Sequence, residues 1–230
     1  TGVEITDKGL AILADYVAAI RHIIGMEIPL AADHFGHIGV NSCIRLARAL
    51  QPYQMAWLED MVPWQFTDLL RQITQSVEVP ILTGEDIYLK EEFAKLVNQH
   101  AVDIIHPDLA SAGGLLETKK IGDLAMEAGV PMAMHFAGTP VSFLANVHCA
   151  AATENFLCLE HHSLDVPWWE DLVQGLPKPL VRDGYATVPE GPGLGFELNE
   201  EVLKAHLKEP GCFLPTPEWD KERSWDRLWS

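Results

Sequence analysis

Three short apolar runs of this chain each reach an acidic residue, and the acids recur at a constant interval. Asp33 lies in "PLAADHFGH", Glu59 in "MAWLED" and Glu85 in "VPILTGED", so 26 residues separate each acid from the next. Amphipathic stretches with apolar residues at helical spacing, such as "SCIRLARAL", lie between the runs. A strand, a loop and a helix repeated in this order predict βαβ crossovers and a parallel sheet. Ligands gather at the carboxyl ends of such strands, which is where the three acids fall.

The same unit recurs along most of the chain. We predict a first helix over 6–24 that is capped by Thr6 or Asp7, and a later helix that ends at a Gly129 C-cap. The predicted strands lie near 28–33, 55–59, 79–83, 102–106, 130–134 and 156–160. This is an α/β pattern, and its six βα units correspond to the C-terminal part of a (β/α)8 TIM-type barrel without its first two strands. The alternative is an open doubly wound sheet.

Composition restricts the partners that such a chain can have. The 230 residues are 48% hydrophobic and carry a formal charge of −17 at pH 7. Nucleic acids and anionic membranes bind basic surfaces, so we expect neither as a partner. No apolar run is long enough to cross a bilayer. The four cysteines lack metal-binding spacing, which favours a reducing, cytoplasmic location.

The later predicted strands also end on ionisable residues. Asp108 follows "DIIHP", His135 lies in "MAMHFAG" and Glu160 in "FLCLEHH". Taken alone, each has an ordinary structural role: a cap on the glycine-rich turn, a buried core histidine, or a solvated strand end. Six successive strand ends that carry an acid or a histidine are harder to explain by packing, because desolvating such groups is costly without partners. The pattern therefore predicts an active site.

These strand-end residues resemble those of the enolase superfamily, and within it the mandelate racemase subgroup. The resemblance covers essentially the whole chain. Asp33, Glu59 and Glu85 look like that family's magnesium ligands, and Asp108 and His135, 27 residues apart, look like its Asp-His dyad. The segment "DGYATVPEGPGLGFEL" is similar to the family's closing loop. The pattern "PDL..AGG" over 107–114 resembles acid sugar dehydratases of the galactonate and mannonate type.

The resemblance implies a mechanism as well as a fold. One Mg²⁺ per active site would be held by the three acids and would neutralise the charge that develops when a proton next to a carboxylate is removed. His135 would be the base, with Asp108 fixing its tautomer, and both His135 and Glu160 would contact substrate. Glu160 would hydrogen-bond a substrate carboxylate oxygen, which requires it to carry or share a proton. The implied activity is dehydration of an acid sugar to a 2-keto-3-deoxy acid.

The resemblance also bears on domain organisation. We predict that residues 1–190 form the partial barrel, and that residues 191–230 form a C-terminal loop and tail that pack on the barrel or on a capping domain. Family members carry an N-terminal capping domain whose loops close over the substrate. We therefore expect the substrate pocket to need sequence that precedes Thr1. We also expect the protein to form a homo-oligomer. Its expected ligand is a small acid sugar substrate.

The sequence departs from the family pattern at the second acid–base group. The known dehydratases place a histidine two residues beyond the first metal ligand, and Phe35 occupies that position here. His34 and His37 flank it, and either is a candidate to protonate the leaving hydroxide and to contact substrate, or to serve only as a loop histidine near a cap. The subgroup's Lys-x-Lys pair belongs to a strand that we expect to precede Thr1, so it cannot be read from these residues. Racemase, epimerase or cycloisomerase chemistry therefore stays open, as does a metal-binding scaffold without turnover.

Overall fold

The computed structural model describes residues 4–33, 38–163 and 165–208. The chain divides into two compact units, residues 1–163 and 164–230. In the first unit, helices alternate with short strands as the sequence predicts. Its helices are α1 (Asp7–Ile24), α2 (Val40–Leu50), α3 (Thr67–Thr74), α4 (Leu89–Asn98), α5 (Leu109–Ala112), α6 (Gly114–Glu127) and α7 (Pro140–Ala151), with a 3₁₀ turn at Gln51–Tyr53. Its strands are β1 (Leu58–Glu59), β2 (Ile81–Thr83), β3 (Ile104–Ile105), β4 (Met132–Met134) and β5 (Phe156–Leu159).

The five strands form one parallel sheet in the order β1-β2-β3-β4-β5. Each strand pairs with the next one along the chain, which is the order that successive βα units produce in a barrel wall. Because all strands run the same way, their carboxyl ends lie along one edge of the sheet. The α/β class predicted from the sequence is confirmed.

The segment predicted as the first strand, 28–33, is only partly a strand. Ala32 forms an isolated parallel bridge with Leu58, and the Ala56 N–H donates to the Leu30 carbonyl at 2.7 Å. The segment therefore runs alongside β1 without completing a ladder. The Ala32 N–H donates to the Trp57 carbonyl at 3.3 Å and the Glu59 N–H donates to the Ala32 carbonyl at 2.9 Å, so regular strand pairing is confined to Ala32. The prediction of a full strand here was wrong, although the segment does run parallel to β1 and beside it, as predicted.

Helix α1 begins and ends close to where its sequence predicts. The Thr6 side chain accepts a hydrogen bond from the Gly9 N–H at 3.1 Å, which satisfies one of the free donors of the first turn. At the other end Gly25 adopts φ 73°, a conformation that costs a residue with a Cβ much more. The predicted end at 24 and the Thr6 cap are confirmed, and the helix itself begins one residue later than predicted, at Asp7.

Arg21 near the end of α1 fixes the path of the chain towards the sheet. Its side chain is buried, and its guanidinium donates to four carbonyls, those of Gly25, Ile28, Tyr53 and Gln54, at 2.6–3.2 Å. A buried guanidinium is tolerated when its N–H groups are satisfied, and carbonyl oxygens do this here. The contacts hold the segment before the first bridge against the turn that leads into β1.

A small apolar cluster lies beneath the carboxyl edge of the sheet. Buried Leu82, Ile104 and Ala133 form it, and Trp57 and Cys158 pack against it. Side chains two residues apart on a strand point to the same face. The residues two positions beyond Ile104 and Ala133 therefore project on the side of this cluster, at the edge where the strands end.

The second unit is built from short elements. It contains a 3₁₀ turn at Trp169–Leu172, strands β6 (Val173–Gln174), β7 (Val181–Arg182), β8 (Tyr185–Ala186) and β9 (Glu197–Leu198), and helix α8 (Glu200–Ala205). β6 pairs with β9 and β7 with β8, both antiparallel. The predicted domain boundary at 190 stays a prediction, and the tail from 209 onward lies outside the described residues. Among the residues described, no helix is long and apolar enough to span a membrane.

Candidate active site

The carboxyl edge of the sheet gathers ionisable side chains from every strand. Each follows or ends a strand of the parallel sheet, so the topology alone brings them to one edge. They are Glu59 at the end of β1, Glu85 after β2, His106 and Asp108 after β3, His135 after β4, and Glu160 and His162 after β5. Four of the predicted strand-end acids and the predicted histidine are in this group.

Glu59, Glu85 and His106 form a compact set of possible metal ligands. A carboxylate oxygen of each acid and a ring nitrogen of His106 lie within 4.8 Å of one another. Glu59 is buried, and its Oε2 accepts a hydrogen bond from Trp57 Nε1 at 3.0 Å, which orients the carboxylate. Two converging carboxylates and an imidazole nitrogen suit a divalent cation. The donor set therefore fits a divalent cation.

His106 was not predicted as a site residue. Its ring is buried, and Nδ1 lies 3.1 Å from the Ala133 carbonyl oxygen. Because a carbonyl only accepts, Nδ1 carries the hydrogen and Nε2 is turned towards the acids. Nε2 is 3.1 Å from Glu59 Oε1, but the two atoms are not in hydrogen-bonding geometry, and Nε2 has no hydrogen-bond partner among the described residues. The ring thus presents a buried nitrogen to the two carboxylates.

Asp33, the first of the predicted metal ligands, is not part of this compact set found among the described residues. Its side chain is exposed. It is close enough to Glu85 to act on it electrostatically. Burial raises the pKa of Glu85, and the carboxylates of Asp60, Asp33 and Glu59 raise it further, against the lowering influence of His135. Negative charge is therefore crowded around Glu85, which a bound cation would relieve.

Asp108 and His135 are joined by a short hydrogen bond. Asp108 Oδ2 lies 2.7 Å from His135 Nδ1, and the two residues also form a parallel bridge. The other Asp108 oxygen accepts from the Ala110 N–H at 2.7 Å, so the residue also caps α5. The two interpretations of Asp108 from the sequence, a turn cap and a dyad partner, therefore both describe its contacts. The second ring nitrogen of His135 lies 3.3 Å from Glu85 Oε2.

The environment of this pair shifts both pKa values. Burial lowers the pKa of His135, but the hydrogen bond to Asp108 and the charges of Glu160 and Glu85 outweigh it and raise the pKa to about 9. For Asp108, burial raises the pKa, and the hydrogen bonds from His135 and from the Ala110 N–H outweigh it, so its pKa is lowered. The pair is therefore polarised, with the proton held on the imidazole.

Glu160 is held by two donors. Its Oε2 accepts from the Phe136 N–H at 3.1 Å, and its Oε1 lies 2.8 Å from His162 Nε2. The same Oε2 is 3.6 Å from His135 Nε2 and 3.8 Å from His106 Nε2. His162 was not singled out in the sequence. The two other predicted histidines, His34 and His37, lie outside the described residues.

Both missed histidines follow a signal that the sequence contains. His106 precedes Asp108 by two residues, and His162 follows Glu160 by two. Since side chains alternate along an extended segment, each lies on the same face as the neighbouring acid. A period of two applied at each strand end would have added them to the candidates.

This geometry agrees with a comparison against protein families. A family model described as "Enolase C-terminal domain-like" matches residues 3–202. The chain belongs to this family. The resemblance to the enolase superfamily that the strand-end residues predict is therefore confirmed, and the barrel-type α/β fold with it.

Several curated relatives of this chain are named as acid sugar dehydratases. The chain is 41% identical to D-xylonate dehydratase of Haloferax volcanii over 196 residues, which cover 85% of this chain and 47% of that protein. It is 28% identical to D-gluconate dehydratase of Thermoproteus tenax, over 90% of this chain and 41% of that protein. The chain thus spans about half the length of the curated relatives that it matches.

Solved structures show the same family relationship. The structure of a mandelate racemase/muconate lactonizing enzyme-like protein from Rubrobacter xylanophilus superposes with a TM-score of 0.86 at 38% sequence identity. The match covers 89% of this chain and 52% of that one. The predicted relationship to the mandelate racemase subgroup is confirmed.

The Asp108–His135 pair should make the stability of the ion-free protein depend on pH. The pKa of His135 rises from 6.5 to about 9 on folding, so its contribution is complete below about pH 6.5 and is lost as the pH rises through 9. The lowered pKa of Asp108 acts in the opposite sense: its contribution is present above the ordinary value of 3.8 and is lost as the pH falls. The contribution of His135 to the free energy of unfolding is on the order of 3 kcal/mol.

Urea unfolding in excess chelator, from about pH 4 to about pH 10, measures this dependence. The free energy of unfolding of the protein minus that of His135→Asn should be nearly constant from about pH 4 to about pH 6.5 and should fall as the pH rises through 9. His22→Gln, on the exposed face of α1, should follow the unmodified protein throughout. A difference that stays constant across this range would contradict the assignment of a coupled pair.

Proposed function

We propose that the protein is a Mg²⁺-dependent acid sugar dehydratase, which removes the proton next to a carboxylate and the neighbouring hydroxyl to give a 2-keto-3-deoxy acid. The observation that carries the proposal is the Asp108–His135 hydrogen bond of 2.7 Å at the edge of the ligand set. It leaves His135 Nε2 facing Glu85. A base beside a cation site is what proton abstraction next to a carboxylate requires.

The metal is assigned to the acids at the first three strand ends. Asp33, Glu59 and Glu85 would hold it, and the buried Nε2 of His106 faces the same point. When bound, the ion neutralises the charge that develops on the substrate carboxylate as the proton leaves. Trp57 Nε1 holds Glu59 in place, so little side-chain entropy is lost when the site fills.

His135 is assigned as the base. Its Nδ1–H donates to Asp108 Oδ2, and Nε2 faces the carboxylates of Glu85 and Glu160. In the ion-free protein these charges help to raise the pKa of His135 to about 9, so Nε2 holds a proton near pH 7. A cation bound to Glu85 would offset that charge and lower the pKa, which frees the Nε2 lone pair. Nε2 takes the α-proton, and Asp108 then stabilises the imidazolium that results. The neutral ring with its hydrogen on Nδ1 is the tautomer that abstraction needs.

Glu160 is assigned to substrate binding beside the base. Its Oε2 accepts from the Phe136 N–H, and this contact fixes the carboxyl group at the strand end. We propose that the substrate is a small acid sugar and that the protein acts in the cytoplasm as a homo-oligomer. His34 and His37 keep the candidate roles that their positions beside Asp33 suggest.

The test is formation of 2-keto acid from a library of acid sugars, with and without Mg²⁺. D-xylonate is the first substrate to examine, because the 41% identical relative is named for it. We expect at least one acid sugar to yield a 2-keto acid at a rate that excess chelator abolishes. Epimerised product without loss of water would indicate racemase or epimerase chemistry instead, and Mg²⁺ binding without turnover of any acid sugar would indicate a scaffold.

A further inference from the structure

We propose that His162, paired with Glu160, is the general acid that protonates the departing hydroxyl. This inference rests on the dehydratase function proposed above and adds a catalytic residue to it. Hydroxide is a poor leaving group, and a positioned proton donor accelerates its departure. His135 cannot serve while it acts as the base, because its Nδ1–H is held by Asp108 and its Nε2 receives the α-proton.

Glu160 and His162 repeat the arrangement of the first dyad. Glu160 Oε1 lies 2.8 Å from His162 Nε2, as Asp108 Oδ2 lies 2.7 Å from His135 Nδ1. The Phe136 N–H holds the other Glu160 oxygen, so the carboxylate is fixed before it meets the ring. A carboxylate that accepts from one ring nitrogen stabilises the imidazolium and leaves the other nitrogen to exchange protons.

The two dyads adjoin each other. Glu160 bridges them, because its Oε2 is 3.6 Å from His135 Nε2 while its Oε1 contacts His162. One carboxyl group therefore separates the proposed base from the proposed acid. Elimination requires such proximity, since the α-hydrogen and the departing oxygen are on adjacent carbons of one small substrate.

Exposure distinguishes His162 from its neighbours. Its side chain is 53% exposed, whereas that of His135 is 17% exposed, so a substrate can reach it. Nε2 contacts Glu160, so Nδ1 is the nitrogen left to meet a substrate. The adjacent His161 packs its ring against that of Phe143, with 5.1 Å between the ring centroids. Alternation along the strand end thus sends His162 to the Glu160 side and His161 to the opposite side.

The step balances as a simple elimination. The α C–H bond breaks, its proton goes to His135 Nε2, and its electron pair moves first onto the carboxylate. That pair then forms the double bond between the α and β carbons as the β C–O bond breaks. The departing oxygen takes the proton from Nδ1–H of the His162 imidazolium and leaves as water. The enol picks up a proton at the β carbon to give the 2-keto acid, and solvent restores both histidines.

Two variants in the full chain separate an acid from a positioning residue. His162→Gln keeps an N–H that can donate to Glu160 but cannot deliver a proton, and His162→Asn shortens the side chain as well. We expect both to form 2-keto acid from D-xylonate at least about 100-fold more slowly than the unmodified protein. Exchange of the α-proton with solvent deuterium, followed by NMR, should stay within a few-fold because His135 is intact.

A substrate analogue provides the decisive control. Fluoride leaves without needing a proton, so D-xylonate with fluorine in place of the β-hydroxyl should lose fluoride at nearly equal rates in the protein and in both variants. His22→Gln, on the exposed face of α1, should behave as the unmodified protein on both substrates.

Each other outcome overturns the assignment. Equal loss on the hydroxy and the fluoro substrate, together with lost exchange, would mean that His162 only shapes the site. Undiminished dehydration in both variants would place the acid elsewhere, with His34 and His37 next in line. An unmodified protein that neither exchanges the α-proton nor forms 2-keto acid would refute the dehydratase function itself, a result distinct from failure of the variants alone.

Discussion

His135→Asn should abolish exchange of the substrate's α-proton with solvent deuterium while leaving metal binding intact. Asparagine can keep a hydrogen bond to Asp108, but it has no basic nitrogen to receive a proton. Since a positioned general base contributes about 10²–10⁴-fold, we expect 2-keto acid formation to fall by at least about 10³-fold. Proton NMR in deuterium oxide measures the exchange, and titration with Mn²⁺ followed by electron paramagnetic resonance measures the metal.

The matched variant is Asp108→Asn, which retains the shape of the pair but removes its charge. The His135 ring would lose the partner that fixes its tautomer, so we expect a smaller loss than in His135→Asn. Wild-type exchange in His135→Asn would move the base to another residue. Loss of metal binding in that variant would instead mean that the ring holds Glu85, which lies 3.3 Å away, in place.

Glu59→Gln should abolish turnover without unfolding the protein. Glu59 is the buried acid of the ligand set, and glutamine replaces its charged oxygen with a neutral one at nearly constant volume. Residues that only support a metal ligand already change affinity by about 10–100-fold, so loss of a ligand charge should weaken Mn²⁺ binding by at least about 100-fold. The Gln carbonyl can still accept from Trp57 Nε1, which should preserve the local packing.

Isothermal titration with Mn²⁺, circular dichroism and the 2-keto acid assay test this variant together. Glu154→Gln, an exposed acid in the loop before β5, is the control and should leave all three unchanged. Unaltered Mn²⁺ affinity in Glu59→Gln would remove Glu59 from the ligand set. Full activity in excess chelator would refute the role of a metal altogether.

The sequence contains enough information to predict most of the architecture. The repeat of apolar run, loop and amphipathic stretch predicts parallel strands, and the Thr6 cap and Gly25 mark both ends of α1. These features are local: a hydrogen-bonding side chain, a positive φ and a hydrophobic period act over a few residues. The segment 28–33 is the exception, because a ladder depends on two strands, and the alternation within one of them does not show how far it extends.

The candidate site also has features that the sequence predicts and features that it does not. The sequence by itself determined which acids and which histidine stand at strand ends, since the repeat of strand and helix predicts parallel strands, and the carboxyl ends of parallel strands share one edge. Only the tertiary structure decided which of these side chains meet. The Ala133 carbonyl turns the His106 ring towards Glu59, and Glu160 lies between His135 and His162. Some of these contacts join neighbouring strands, and others depend on the direction of a side chain. Distances between strands and ring orientations therefore decide them. The spacing of residues along the chain specifies neither quantity.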